Sequence, residues 1–165
     1  MAIGRALNLE RELLEAFENC YRVTDYLLQI LPAPIWSAKA PGDNGRSIAA
    51  IVTHMQGVRN MFAKMGGADA LPGSLDRSRS TLDEARQALQ QSREALTTLF
   101  EAALAKGQLR VKTMPRRLVN MMTYLMQHDA HHRGQICSLA RVLGFRMSKQ
   151  DVMRLWGWKT LPSDK

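Results

Sequence analysis

The side chains in this sequence best suited to chemistry are its four histidines, His54, His128, His131 and His132. His128 and His132 are four residues apart. On a helix turning about 100° per residue they share one face, with Cβ atoms roughly 6 Å apart. Two imidazoles at that spacing can converge on one metal ion. Both fall within the apolar stripe Met121, Leu125, Ile136 and Leu139, which directs them towards a core. His131 lies about 100° from His132, at the edge of the stripe, and reads as a surface residue or a support for a ligand. His54 belongs to a different stretch, beside the inward-facing Ile51 and Val58. Three neutral imidazoles from two helices could meet inside a helix bundle and leave coordination positions for water or substrate. Imidazole-only ligation suits zinc, nickel, copper or iron. The competing reading is a set of hydrogen-bonded core histidines. Burying three ionisable rings without partners is costly, and a shared cation removes that cost.

The elements that must position these rings are helices. Four stretches carry helical periodicity, and no repeat or alternating strand pattern interrupts them. The first runs from about Arg5 to Leu31 on Leu13, Phe17, Cys20, Tyr21, Thr24, Leu27, Leu28 and Leu31, stopped by Pro32 and Pro34. Ser47 is a plausible N-cap for the second, which presents Ile48, Ile51, Met55, Val58 and Phe62 and ends at Gly66 and Gly67. The third opens with Thr81 and Glu84, or with Ser80 and Asp83, at capping-box spacing, and closes at Gly107. The fourth begins near Pro115 and continues to Gly144. A short helix bearing Trp156 is expected in the tail from Ser148 to Lys165. The connections before the second and fourth helices read as short, and that before the third as longer. Such a pattern predicts an all-α four-helix bundle filling residues 1–165 as a single domain.

Composition narrows the function classes. At 45% hydrophobic and 23% charged residues the chain resembles ordinary globular proteins, which argues against wholesale disorder. No apolar run approaches the ~18 residues of a membrane span. Arg5, Glu10 and Glu12 come too early for a secretory leader, so a cytoplasmic protein is expected. Cys20 and Cys137 lack metal-knuckle or redox spacing, and both lie on apolar stripes, so neither is expected to be a nucleophile. The net charge is +8. Its densest stretch, Lys106, Arg110, Lys112, Arg116 and Arg117, carries no aromatic residue for base stacking and reads as a solvated connection. Positive charge permits a nucleic-acid partner without arguing for one.

The segment His128-Asp129-Ala130-His131-His132-Arg133-Gly134-Gln135 resembles the H-x-x-x-H-R-G-Q element of the DinB/YfiT-like family of metal-binding bundles. Pro41-Gly42, Ser47-Ile48 and His54 are similar to that family's loop, helix start and first ligand, and Leu155-Trp156-Gly157-Trp158 to its tail. The resemblance implies an up-down-down-up bundle with a divalent ion, nickel or zinc, on His54, His128 and His132. It also implies a homodimer. Characterised relatives include S-transferases and isomerases that use a low-molecular-weight thiol. A metal-dependent transferase or hydrolase acting on a small-molecule substrate is therefore expected, with a non-catalytic metal-binding or sensor bundle as the alternative.

Around the three ligands the sequence offers further candidates. Asp129, about 100° from His128, is expected to face solvent rather than to orient a ligand. Arg133 could anchor an acidic substrate, form a surface ion pair or act structurally. Tyr124, one turn before His128, reads as a donor near the metal or as a partly buried structural residue. Met55, Met61, Met65, Met121, Met122 and Met126 sit on the two ligand-bearing helices as core filler, dimer contact or a malleable pocket.

Overall fold

The computed structural model describes residues 7–42, 45–108, 115–157 and 161. Its helices are α1 (Leu9–Gln29), α2 (Ile48–Gly66), α3 (Leu82–Ala105), α4 (Leu118–Val142) and α5 (Lys149–Leu155), with a 3-10 turn at Ala33–Ile35.

Local chemistry sets most of these boundaries. The Ser47 hydroxyl accepts from the Ala50 amide at 3.2 Å and starts α2, the helix that carries His54. Gly67, at φ 93°, ends α2 in the left-handed conformation that glycine adopts without a Cβ penalty. Of the two candidate boxes before α3, Thr81 and Glu84 form the real one. Ser80 instead accepts from the Asp76 amide, and its carbonyl takes the Trp36 indole N–H at 2.7 Å. Trp36 also accepts the Ala49 amide through its own carbonyl, so the loop before α2 is tied to the starts of both α2 and α3.

Several expectations need correction. The helix α1 opens at Leu9, capped by Asn8; the expected start at Arg5 lies outside the described residues. The helix α4 opens at Leu118 rather than Pro115. The connection before α2, residues 30–47, is longer than that before α3, residues 67–81, because it holds the 3-10 turn and the Trp36 anchor. Trp156 follows α5 and is largely exposed; Trp158, Arg110 and Lys112 lie outside the described residues.

Contacts between helices fix their directions. Asp25 meets Arg86 while Glu18 meets Arg93, so α1 and α3 are antiparallel. Phe62 packs on Tyr124 while His54 meets His132, so α2 and α4 are antiparallel. Cys20 lies by Met126 and Thr24 by Arg133, so α1 and α4 run the same way. Arg59 reaches the Leu89 carbonyl and Gly66 abuts Leu99, so α2 and α3 do too. The result is an up-down-down-up bundle with α1/α3 and α2/α4 on opposite sides. The short α5 docks on α1 through hydrogen bonds linking Tyr26 to Asp151 and Arg154. No helix among the described residues is long and apolar enough to cross a membrane.

The core is divided. One apolar cluster gathers Leu27, Leu28, Val52, Met55, Leu89 and Ile136; the other gathers Phe17, Phe62, Leu96, Phe100, Met121 and Leu125. Along each main helix a buried polar residue falls between the two clusters: Thr24, Arg59, Ser92 and Asp129. Arg59, on α2, reaches every other helix of the bundle. Its guanidinium donates to the Asp129 carboxylate on α4 and to the Leu89 carbonyl on α3, and lies 3.9 Å over the Tyr21 ring of α1. Along α4 Asp129 lies between His128 and His132, and on α2 Arg59 follows His54 by five residues, so this polar layer adjoins the histidines.

Candidate metal centre

His54, His128 and His132 converge at the seam between α2 and α4 and could together hold a metal ion. The Nε2 atom of His128 is 3.2 Å from that of His54 and 3.1 Å from that of His132. Two nitrogens each about 2.1 Å from a common ion stand that far apart when the angle between them is about 95–100°. That lies between octahedral and tetrahedral values, so the donor set fits a first-row divalent cation. The convergence is poorly explained by hydrogen bonding alone. A neutral imidazole carries one N–H, so the Nε2 of His128 cannot donate to both neighbours at once.

Electrostatics favour the same reading. Burial lowers His54 and His128 below the ordinary imidazole value, and the neighbouring rings lower them further. For His128 the shift is to about 4. At neutral pH its ring is uncharged and holds a lone pair for a cation, the state that ligation requires.

The cluster is graded from solvent to core: His54 is exposed, His128 half-buried and His132 buried. This corrects the expectation of three rings meeting in the bundle interior. His54 sits at the edge of the α2 stripe, where the seam between helices opens outwards. An open side is what exchange with an outside molecule needs.

Gln135 organises the buried side. Its side-chain oxygen lies 2.8 Å from the Nδ1 of His132, and its amide nitrogen 3.0 Å from the Nε2 of His131. An amide oxygen only accepts, so Nδ1 carries the proton and Nε2 of His132 keeps its lone pair for the centre. His131 is exposed; its ring packs edge-on against that of His132, and its Nε2 faces Gln135 rather than the other two histidines. Gln135→Ala is expected to weaken divalent-ion binding about 10–100-fold while leaving the helical content unchanged. Titration calorimetry beside far-UV circular dichroism checks this, and an unchanged affinity would remove Gln135 from the account.

The remaining candidates divide. Asp129 does not face solvent, as the sequence suggested; it is buried and paired with Arg59. Measured from Leu125 and Ile136, it lies on the stripe at helical spacings of four and seven, and Arg59 lies four residues after Met55 and three before Phe62. Those intervals were the available signal. Arg133 donates to the Cys20 carbonyl and the Thr24 hydroxyl, which ties α4 to α1. That is a structural role. Tyr124 is neither buried nor bonded into the core; its ring packs on Phe62 and stacks at 6.0 Å on His128. Burial pushes the thiols of Cys20 and Cys137 above the ordinary cysteine value, the opposite of activation.

The methionines serve two ends. Met55, Met121 and Met122 are fully buried core. Met61 and Met65 are exposed, and helical spacing puts both on the same face of α2 as His54.

The sequence profile of the DinB family matches residues 5–160, nearly the whole chain. The chain belongs to the DinB family. No curated protein matches it. Within this DinB protein the matched region covers α1 to α5, so the bundle, the three-histidine cluster and the docked α5 all fall inside the family's domain.

Proposed function

We propose that this DinB protein is a metal-dependent enzyme in which His54, His128 and His132 hold nickel or zinc and a low-molecular-weight thiol or water is activated for S-transfer or hydrolysis. The observation that carries the reading is the convergence of three Nε2 atoms at a seam whose His54 side is open to solvent. A divalent ion held there would supply Lewis acidity, lowering the pKa of a thiol or water so that a nucleophile exists at neutral pH.

The chain's own side chains have definable tasks in this scheme. Gln135 holds His132 in the ligating tautomer. Asp129 is engaged by Arg59 in the core and is not available as a base. Tyr124, exposed beside His128, is placed to donate a hydrogen bond to a bound substrate. Met61 and Met65 extend an exposed apolar strip along α2 from His54, which suits a substrate with an apolar portion.

The test is a screen of the metal-loaded protein against small electrophiles, with and without low-molecular-weight thiols, read by mass spectrometry of products. Turnover is expected to vanish on chelation and in a folded His54→Ala variant. Stoichiometric metal with no turnover in any thiol or hydrolytic assay would leave a metal-binding or sensor bundle instead.

A further inference from the structure

Charge in the bundle is sorted by helix. The pair α1 and α3 carries nine acidic and four basic side chains. The pair α2 and α4, which carries the histidines, has one acidic and four basic. That single acid is Asp129, buried against Arg59. Neither ligand-bearing helix therefore presents an exposed carboxylate, whereas Lys64 on α2 and Arg141 on α4 are exposed. Three neutral imidazoles bring no negative charge to a divalent ion, and a bound ion is often the largest local charge in a site. Nothing on α2 or α4 offsets it. A surface of one sign beside an uncompensated centre draws ligands of the opposite sign.

Arg46 gives such a ligand a fixed point. It directly precedes Ser47, whose buried hydroxyl caps α2, and the next turn is tied to the Trp36 carbonyl through the Ala49 amide. The backbone at Arg46 is thus held at the start of the helix that carries His54. Its side chain is exposed and makes no ion pair among the described residues. Burial and the His132 ring lower the proton affinity of His54, and the Arg46 charge lowers it further, so the field of Arg46 reaches that ring. A free guanidinium recognises carboxylate oxygens through forked, charge-assisted bonds.

We infer that the thiol taken at the metal centre is an anion bearing a carboxylate, and that Arg46 is the residue that selects for that charge. This rests on the metal-dependent reading above, to which it adds the charge class of the thiol and the side chain that reads it.

Nickel-loaded protein titrated with N-acetylcysteine and with its neutral amide tests the inference by binding alone. The readout is the near-ultraviolet charge-transfer absorption of a nickel-bound thiolate, at constant ionic strength. The two probes differ in the carboxylate, and the ratio of their affinities isolates its contribution. In Arg46→Glu the ratio is expected to shift at least about fivefold against N-acetylcysteine, the scale of an exposed ion pair, with the affinity for the amide nearly unchanged. Arg46→Lys is expected to keep most of the wild-type ratio. Arg46 is exposed and lies outside the helix, so its replacement leaves the core intact, which circular dichroism verifies. An unchanged ratio in Arg46→Glu, or equal weakening of both probes, would overturn the inference while leaving the metal-dependent reading in place. A protein that takes up no nickel, or whose nickel binds neither thiol, would overturn the thiol-dependent reading and the inference with it.

Discussion

Asp129→Ala is expected to destabilise the bundle by about 3–5 kcal/mol, the cost of removing one partner from a buried ion pair. Asp129 and Arg59 are both about 1% exposed. Without the carboxylate, the Arg59 guanidinium would remain in the core with only the Leu89 carbonyl and the Tyr21 ring as partners. For a chain of this length the loss corresponds to a fall in melting temperature of roughly 10 °C. Thermal and urea denaturation followed by circular dichroism would measure it. Replacing both partners, as Arg59→Met with Asp129→Leu, is expected to cost much less than the two single substitutions added together, because no orphaned charge remains. A cost below about 1 kcal/mol for Asp129→Ala would place the pair in the range of solvated surface bridges and refute the polar layer. The layer also bears on the site. Asp129 adjoins His128 in the chain, and its pairing with Arg59 locks that turn of α4 against α2.

The second large effect separates two adjacent histidines. His132→Ala is expected to abolish stoichiometric metal binding, a loss beyond the 10–100-fold typical of an outer partner. His131→Ala is expected to leave binding largely intact. The two rings are only 5.0 Å apart, so proximity does not distinguish them. Direction does. The Nε2 of His132 lies 3.1 Å from that of His128, whereas the Nε2 of His131 is turned to the Gln135 amide. Removing His131 frees one hydrogen bond of Gln135 and leaves its bond to His132. Metal stoichiometry on both folded variants decides the matter, and equal loss in the two would mean the ligand set is misassigned.

What could be read from the sequence follows from the range of each interaction. Caps are local, so Ser47 and Thr81 announced the starts of α2 and α3 within a few residues. The clustering of His128 and His132 was legible because both lie on one turn of one helix, and α2 supplied its only histidine. The polar layer was not legible in the same way. Arg59 and Asp129 are 70 positions apart; the charge of Asp129 suggested solvent, and only its helical spacing against the apolar stripe of α4 points inward. The exposure of His54 was missed for a related reason. Periodicity gives an angle on one helix, but whether that angle faces a core or an open seam depends on the crossing helix. The Thr24 and Cys20 contacts of Arg133 likewise required knowing that α1 and α4 run side by side in the same direction.

The central claim is that His54, His128 and His132 hold one divalent ion. Elemental mass spectrometry of protein purified without a polyhistidine tag or a nickel column tests it most directly. About one nickel, zinc or similar ion per chain is the predicted result. Protein that carries no metal, and takes up none after incubation with nickel or zinc, would contradict the account and leave a helical bundle with three clustered imidazoles.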